Sequence, residues 1–233
     1  MSGSFISPEL RARVRGLMVP IAVGLGRLGF TPNGLTLVGF GIAIIAAILA
    51  GLQLWLPAGL LVVFGGVFDL FDGGLARATG QVSRLGGFMD SVFDRWGEGV
   101  VYLGILWGTL EMGLFRPVIL TGAASVAAFM VSYVRAKSES EGFTPGKGMA
   151  AVGLAPREVR IVILTLGLIG AGLIGTDIGS STCDTCAGGA AYPLGALVLE
   201  AALGLIAVLG TLTVIQRILH VVRQPLNDTP NQA

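Results

Sequence analysis

Four aspartates in an otherwise apolar stretch are the residues best placed to do chemistry. Asp69, Asp72, Asp90 and Asp94 lie in FDLFDGGLARATGQVSRLGGFMDSVFD, with LLVVFGGV before it and WGEGVVYLGILWG shortly after. An ionised Asp at the centre of a spanning helix costs ~2.5–3.5 kcal/mol on insertion scales. Four together need a common partner. Asp69 and Asp72 are three apart and Asp90 and Asp94 four apart, so on helices each pair projects from one face. Two such helix ends facing each other make an all-oxygen cage suited to Mg²⁺, Mn²⁺ or Ca²⁺. The plainer reading is water-facing carboxylates tethered by Arg77, Arg84 and Arg95. Crowded carboxylates without a cation repel one another, which favours the site. Gly73, Gly74, Gly86 and Gly87 leave room beside them for a bulky substrate.

The stretch reads Asp69-x-x-Asp72-Gly73-x-x-Ala76-Arg77, eight residues, Gly86, three residues, Asp90, three residues, Asp94. In all of these positions it resembles the signature of the CDP-alcohol phosphatidyltransferase family. Members of that family displace CMP from a CDP-linked lipid with an alcohol, forming a phosphodiester. The resemblance implies that Asp69, Asp72 and Asp90 are metal ligands, and that Asp94 is both a ligand of a second ion and the general base. It implies Mg²⁺ or Mn²⁺, two ions per site, and CDP-diacylglycerol as the lipid donor. Asp69, Gly73, Ala76 and Arg77 would contact the cytidine diphosphate portion. Ser83 and the Thr31-Pro32-Asn33-Gly34 corner would line the same pocket. Family members are commonly homodimers, and the same is expected here.

The acceptor is suggested by a second set of residues. Arg135 and Lys137 end one apolar segment, Arg157 and Arg160 begin the next, and Arg217 closes the last. If these segments bundle, five cations converge near the aspartates, a pocket for a phosphorylated acceptor that Arg can hold bidentately. The alternative is ordinary charge flanking membrane spans. The pieces Ser132-Tyr-Val-Arg-Ala-Lys-x-Glu139, Pro156-Arg157-Glu158 and Gln216-Arg217 resemble the branch of the family that uses inositol phosphate. That branch works on diacylglycerol lipids in bacteria and archaeol lipids in archaea. The arginines at 154–160 are spaced differently from the Glu-Arg-x-Glu-Arg run of that branch. Glycerol 3-phosphate is the alternative acceptor within the family. Glu98, one turn beyond Asp94, is outside the signature and either backs the site or faces solvent.

The elements that must position these residues follow from composition. Of 233 residues, 53% are hydrophobic and 12% charged, and the mean hydropathy is +0.82. That describes a polytopic membrane protein. A net charge of +1 and the lack of a basic, aromatic-interleaved patch give no reason to expect nucleic acid. The expected fold is an all-α integral membrane protein with six transmembrane helices, preceded by an N-terminal interfacial amphipathic helix within 7–29. The spans are expected at about 34–52, 57–77, 88–110, 116–137, 158–176 and 192–219. Pro32 disfavours helix at Thr31 and can begin one itself. The organisation is thus 1–33 interfacial helix and connector, 34–222 membrane domain and 223–233 polar tail. No cleavable leader is expected, so the first span serves as its own insertion signal.

Arg116 apart, the other 14 of the 15 basic residues fall on one side of these spans. The positive-inside rule puts both termini and the aspartates in the cytoplasm, in a multi-pass protein of the cytoplasmic membrane. Cys183 and Cys186 then lie outside, as a local disulfide or as two loop thiols. Gly146-Lys147 fails as a phosphate-binding loop, because position 141 is Glu and no Ser or Thr follows the lysine. The competing functional class is a small cation transporter using the aspartates as a pathway. Against it, the carboxylates gather at one end of two adjacent spans, beside an arginine that suits a diphosphate.

Overall fold

The computed structural model describes residues 20–21, 23–143, 152–176 and 192–224. The expected interfacial helix falls largely on residues 1–19 and 22, outside the described residues, as do Gly146, Lys147, Cys183, Cys186 and the tail from 225. Residues 23–27 are helical. Beyond them come six long helices: α1 Pro32–Gly51, α2 Trp55–Ala78, α3 Arg84–Glu111, α4 Phe115–Ser140, α5 Arg157–Ile174 and α6 Leu194–Val222. Among the described residues there is no strand.

Local chemistry explains where α1 and α3 begin. Thr31 takes extended backbone as the N-cap of α1, accepts a hydrogen bond from Gly34 N at 3.1 Å, and is followed by Pro32 in the first turn. Leu54, the residue before α2, offers no side-chain cap. Ser83 caps α3 in the same way as Thr31, accepting from Gly86 N at 3.0 Å. The expected start at Pro32 is therefore a real helix boundary, and Ser83, expected as a pocket residue, also caps a helix.

Four helices, α1, α2, α4 and α6, are long and apolar enough to cross a membrane by length and composition. Helices α3 and α5 differ because their starts hold ionisable groups: Asp90, Asp94, Arg95 and Glu98 on α3, and Arg157, Glu158 and Arg160 on α5. The chain is a multi-pass membrane protein. Its outer surface agrees with that, since Ile44, Ile45 and Ile48 of α1 and Leu103, Trp107 and Leu110 of α3 are exposed.

Without a hydrophobic drive between helices in lipid, close packing relies on small residues. Helix α1 packs on α2 and α3, α4 on α3 and α6, and α5 on α2 and α6. Ala46, Ala50, Ala58, Ala124, Ala128 and Ala171 form much of the core with Ile105, Leu164, Leu168, Leu203 and Ile206. Gly104 and Gly108, four apart on α3, let it lie directly on α1. A Cβ at Gly104 would stand 2.1 Å from the Ala47 carbonyl oxygen, and one at Gly108 would stand 2.2 Å from that of Ala50. This contact seats the half of α3 remote from the aspartates on α1, and nearer to them a Cβ at Gly97 would come within 3.3 Å of Ala43; α1 in turn packs on α2.

Candidate active site

Helix α2 carries Asp69 and Asp72 near its C-terminal end, and α3 carries Asp90 and Asp94 near its start. Asp72 is the most enclosed, only 6% exposed. Thr36 Oγ1 of α1 donates to its Oδ2 at 2.8 Å, and the Gly73 N–H donates to its Oδ1. Asp69 and Asp94 are joined by one side chain. Arg157, the first residue of α5, donates from Nη2 to Asp69 Oδ2 at 2.8 Å and from Nη1 to Asp94 Oδ2 at 2.7 Å. Asp90 lies one turn before Asp94 and is half-buried. A Cβ at Gly39 would come within 3.2 Å of Asp69 Oδ1, so glycine there gives the carboxylate its space.

The nucleotide-side residues also meet. The Arg77 guanidinium folds back over Gly73, where a Cβ would be 3.3 Å from Nη1. A Cβ at Gly86 would meet Ser83 Oγ at 3.1 Å and Asn33 Oδ1 at 3.3 Å. The Thr31–Gly34 corner and the start of α3 thus face each other across Gly86. Ala76 is partly buried on α2, one residue before the exposed Arg77.

The five cations expected to converge divide. Arg157 reaches the aspartates. Arg160, 1% exposed, makes a two-pronged pair with Glu98, from Nε to Oε1 at 2.9 Å and from Nη2 to Oε2 at 2.8 Å, and donates to the Ala155 carbonyl at 3.0 Å. Arg217 is buried and donates to the carbonyls of Val152 at 3.0 Å and Val131 at 2.5 Å. Arg135 pairs along its own helix with Glu139 at 2.9 Å, and exposed Lys137 pairs with Glu141.

Two further partners emerge, Glu98, whose two roles the sequence leaves open, and Thr36, which it does not mark. Glu98 is neither solvated nor a bystander: it anchors α5 to α3 one turn beyond Asp94. A carboxylate four residues past Asp94 in an apolar segment was the available signal. Thr36, one turn into α1, had no signal beyond its distance from the Thr31 cap. The loop before α5 is also fixed, since the N–H groups of Leu154 and Ala155 both donate to Thr213 Oγ1 of α6, at 3.0 and 2.9 Å.

A cavity of about 60 Å³ opens between α1, α2, α3 and α5, with Thr36, Gly39, Asp69, Asp94, Glu98 and Arg157 on its wall. Among the described residues, no three His, Cys, Asp or Glu groups are set to close on one ion. The four-carboxylate cage expected from spacing is therefore not ready-made in these side-chain positions. Its donor chemistry nonetheless fits a divalent ion, being hard carboxylate oxygen from two helix ends. Asp69 and Asp94 already reach a common cation in Arg157.

Comparison with known proteins meets this geometry from a separate direction. A family model described as CDP-alcohol phosphatidyltransferase matches residues 30–223, from the α1 cap through α6. The archaetidylinositol phosphate synthase of Pyrococcus horikoshii is 38% identical over 67% of this chain and 78% of its own length. The phosphatidylinositol phosphate synthase of Mycobacteroides abscessus is 31% identical over 96% of this chain and 89% of its own length. Among solved structures, the Mycobacterium tuberculosis phosphatidylinositol phosphate synthase with CDP-DAG bound has a TM-score of 0.74 at 28% identity, covering 93% of this chain and 98% of that one. The same enzyme in complex with manganese and citrate has a TM-score of 0.73 at 27% identity, covering 93% of each chain. Six helices, an aspartate array at the ends of two of them and a match running through both pairs have one explanation: the chain belongs to the CDP-alcohol phosphatidyltransferase family.

Proposed function

We propose that this membrane enzyme transfers a phosphatidyl group from CDP-diacylglycerol to a hydroxyl of inositol phosphate, releasing CMP. The observation that carries the reading is the junction of Asp69 and Asp94 through Arg157 on one cavity wall, which puts carboxylates and a guanidinium where a phosphate would react. The names of the relatives supply the acceptor: one is an archaetidylinositol phosphate synthase and the other a phosphatidylinositol phosphate synthase. A cation pathway is the weaker alternative, because a guanidinium pairs with two of the carboxylates that such a pathway would use.

In this reading Asp69, Asp72, Asp90 and Asp94 hold two divalent ions, Mg²⁺ or Mn²⁺. When bound, such ions neutralise phosphate oxygens and charge on the attacking and leaving oxygens. Thr36 orients Asp72 by its hydrogen bond to Oδ2. Gly73, Ala76 and Arg77, with Ser83 and the Thr31-Pro32-Asn33-Gly34 corner, bind the cytidine diphosphate, and Arg77 offsets its charge. Asp94 takes the proton of the acceptor hydroxyl as its oxygen attacks the phosphorus that bears the diacylglycerol. The bond from that phosphorus to the CMP oxygen breaks, and CMP leaves with the electron pair. Arg157 binds the acceptor's own phosphate, with Arg135, Lys137 and Arg217 adding positive charge around it.

The same reading takes all six helices as spans, within a membrane domain of 34–222 that follows an interfacial segment and precedes a polar tail. It puts both termini and the aspartates on the cytoplasmic side of the cytoplasmic membrane, and it makes the enzyme a homodimer. CMP release by the purified protein tests the reaction, with CDP-diacylglycerol, Mg²⁺ and one acceptor at a time. Turnover with inositol 1-phosphate is expected. Turnover only with glycerol 3-phosphate replaces the acceptor, and no turnover with any phosphorylated or free polyol refutes the assignment.

A further inference from the structure

Arg157 is held differently from the two buried arginines, Arg160 and Arg217. Arg160 ends in a two-pronged pair with one carboxylate, and Arg217 ends on two carbonyls. Arg157 instead gives one nitrogen to Asp69 and another to Asp94, one carboxylate from each aspartate pair. Its Nε is buried without a hydrogen-bond partner. Its side chain is 26% exposed, against 1% for that of Arg160. The contact is thus incompletely satisfied and open to exchange, while the backbone around it is pinned by Glu98, Thr213 and Arg217.

We propose that Arg157 is an internal competitor of the divalent ion, which must displace it from Asp69 and Asp94 and so frees it for an anionic acceptor. The proposal rests on the reading above that these aspartates bind metal and that Arg157 serves the acceptor phosphate. The guanidinium lies 2.7–2.8 Å from one oxygen of each carboxylate. A small dication takes carboxylate oxygens at ~2.0–2.1 Å, so sharing those oxygens would press two cations together. One must yield. A displaced guanidinium needs a new anion, and a phosphate accepts it through two parallel hydrogen bonds. A neutral alcohol offers no such exchange. Ion and phosphorylated acceptor therefore bind with positive coupling, each tightening the other by the same factor. The device selects for a phosphorylated acceptor without any further contact to it.

Titration calorimetry of Mn²⁺ binding to the full chain in detergent, with and without inositol 1-phosphate, tests this. Removing the competitor by Arg157→Gln is expected to tighten Mn²⁺ binding roughly tenfold, which corresponds to Arg157 holding the carboxylates about nine-tenths of the time. Arg95→Gln is the control. Arg95 follows Asp94 directly, but its Nη1 donates to the Ser91 carbonyl. Losing that screened charge should shift the affinity by less than about threefold. In the unaltered protein inositol 1-phosphate should tighten Mn²⁺ binding, and in Arg157→Gln this coupling should vanish. An Arg157→Gln affinity equal to or weaker than that of the unaltered protein overturns the proposal, as does an equal shift in Arg95→Gln. If the unaltered protein takes up no Mn²⁺, the metal reading itself falls, and the proposal with it. Should Arg157→Gln fail to fold, Arg157→Lys answers the same question. Lysine keeps the charge but has one nitrogen for two carboxylates, so a smaller tightening is expected and none overturns the proposal.

Discussion

Replacing Arg160 with methionine removes one half of a fully enclosed ion pair and leaves the other half without compensation. The Glu98 side chain is 6% exposed and receives two nitrogens of Arg160 at 2.8–2.9 Å. So enclosed, Glu98 has little access to water, and Arg160→Met leaves its charge largely uncompensated in the bundle. Breaking a buried pair from one side costs about 3–5 kcal/mol. At about 2–4 °C per kcal/mol for a domain of this size, the midpoint should fall by roughly 6–20 °C. The double variant Glu98→Gln with Arg160→Met removes both charges and should recover most of the loss, because neutralised pairs of similar volume are often tolerated. Thermal unfolding of the four proteins in one detergent, read as a double-mutant cycle, measures the coupling directly. A midpoint for Arg160→Met within about 2 °C of the unaltered protein would refute the reasoning. So would a double variant less stable than either single one, since the pair would then not be what joins α5 to α3.

Three further perturbations test separate parts of the site and its scaffold. Asp94→Asn keeps the side chain's size but removes the base, and should abolish CMP release while leaving binding of the nucleotide lipid, measured by calorimetry, nearly intact. Thr36→Val removes the 2.8 Å hydrogen bond to Asp72; a hydrogen bond to a charged group is worth about 1.5–3 kcal/mol. Turnover efficiency should therefore fall by roughly ten- to a hundredfold, with Thr36→Ser retaining most activity in the same CMP assay. Gly104→Ala would drive a methyl to 2.1 Å from the Ala47 carbonyl oxygen. Backbone cannot move aside cheaply there, so a loss of about 1–3 kcal/mol is expected in thermal unfolding, whereas Gly122→Ala on α4, with open space at its Cβ, should be silent.

What could be read along the chain was whatever depends on neighbours a few residues apart. The aspartate spacing, the Thr31-Pro32 start of α1 and the apolar lengths of the six helices are local properties. The helices begin and end within a few residues of the expected spans. The family followed from the same local pattern, because its signature is confined to two helix ends and the turn between them. What remained hidden was every pairing between distant parts of the chain. Arg157 lies 88 residues from Asp69 and 63 from Asp94, and Thr36 lies 36 from Asp72. Composition says only that buried carboxylates need a positive partner; whether an ion or a guanidinium takes that place depends on how the helices cross. The sequence leaves Glu98 between two roles for the same reason. Its neighbours on α3 are the same whether it meets solvent or Arg160, and only the packing of α3, α5 and the loop before α5 decides. The seating of α3 on α1 is hidden in the same way, because the close approach that Gly104 and Gly108 allow is a distance that periodicity cannot report. The sequence alone determined which groups could do the chemistry and which helices carry them. Tertiary structure decided which charge faces which, because electrostatic partners are chosen across helix interfaces and not along the chain.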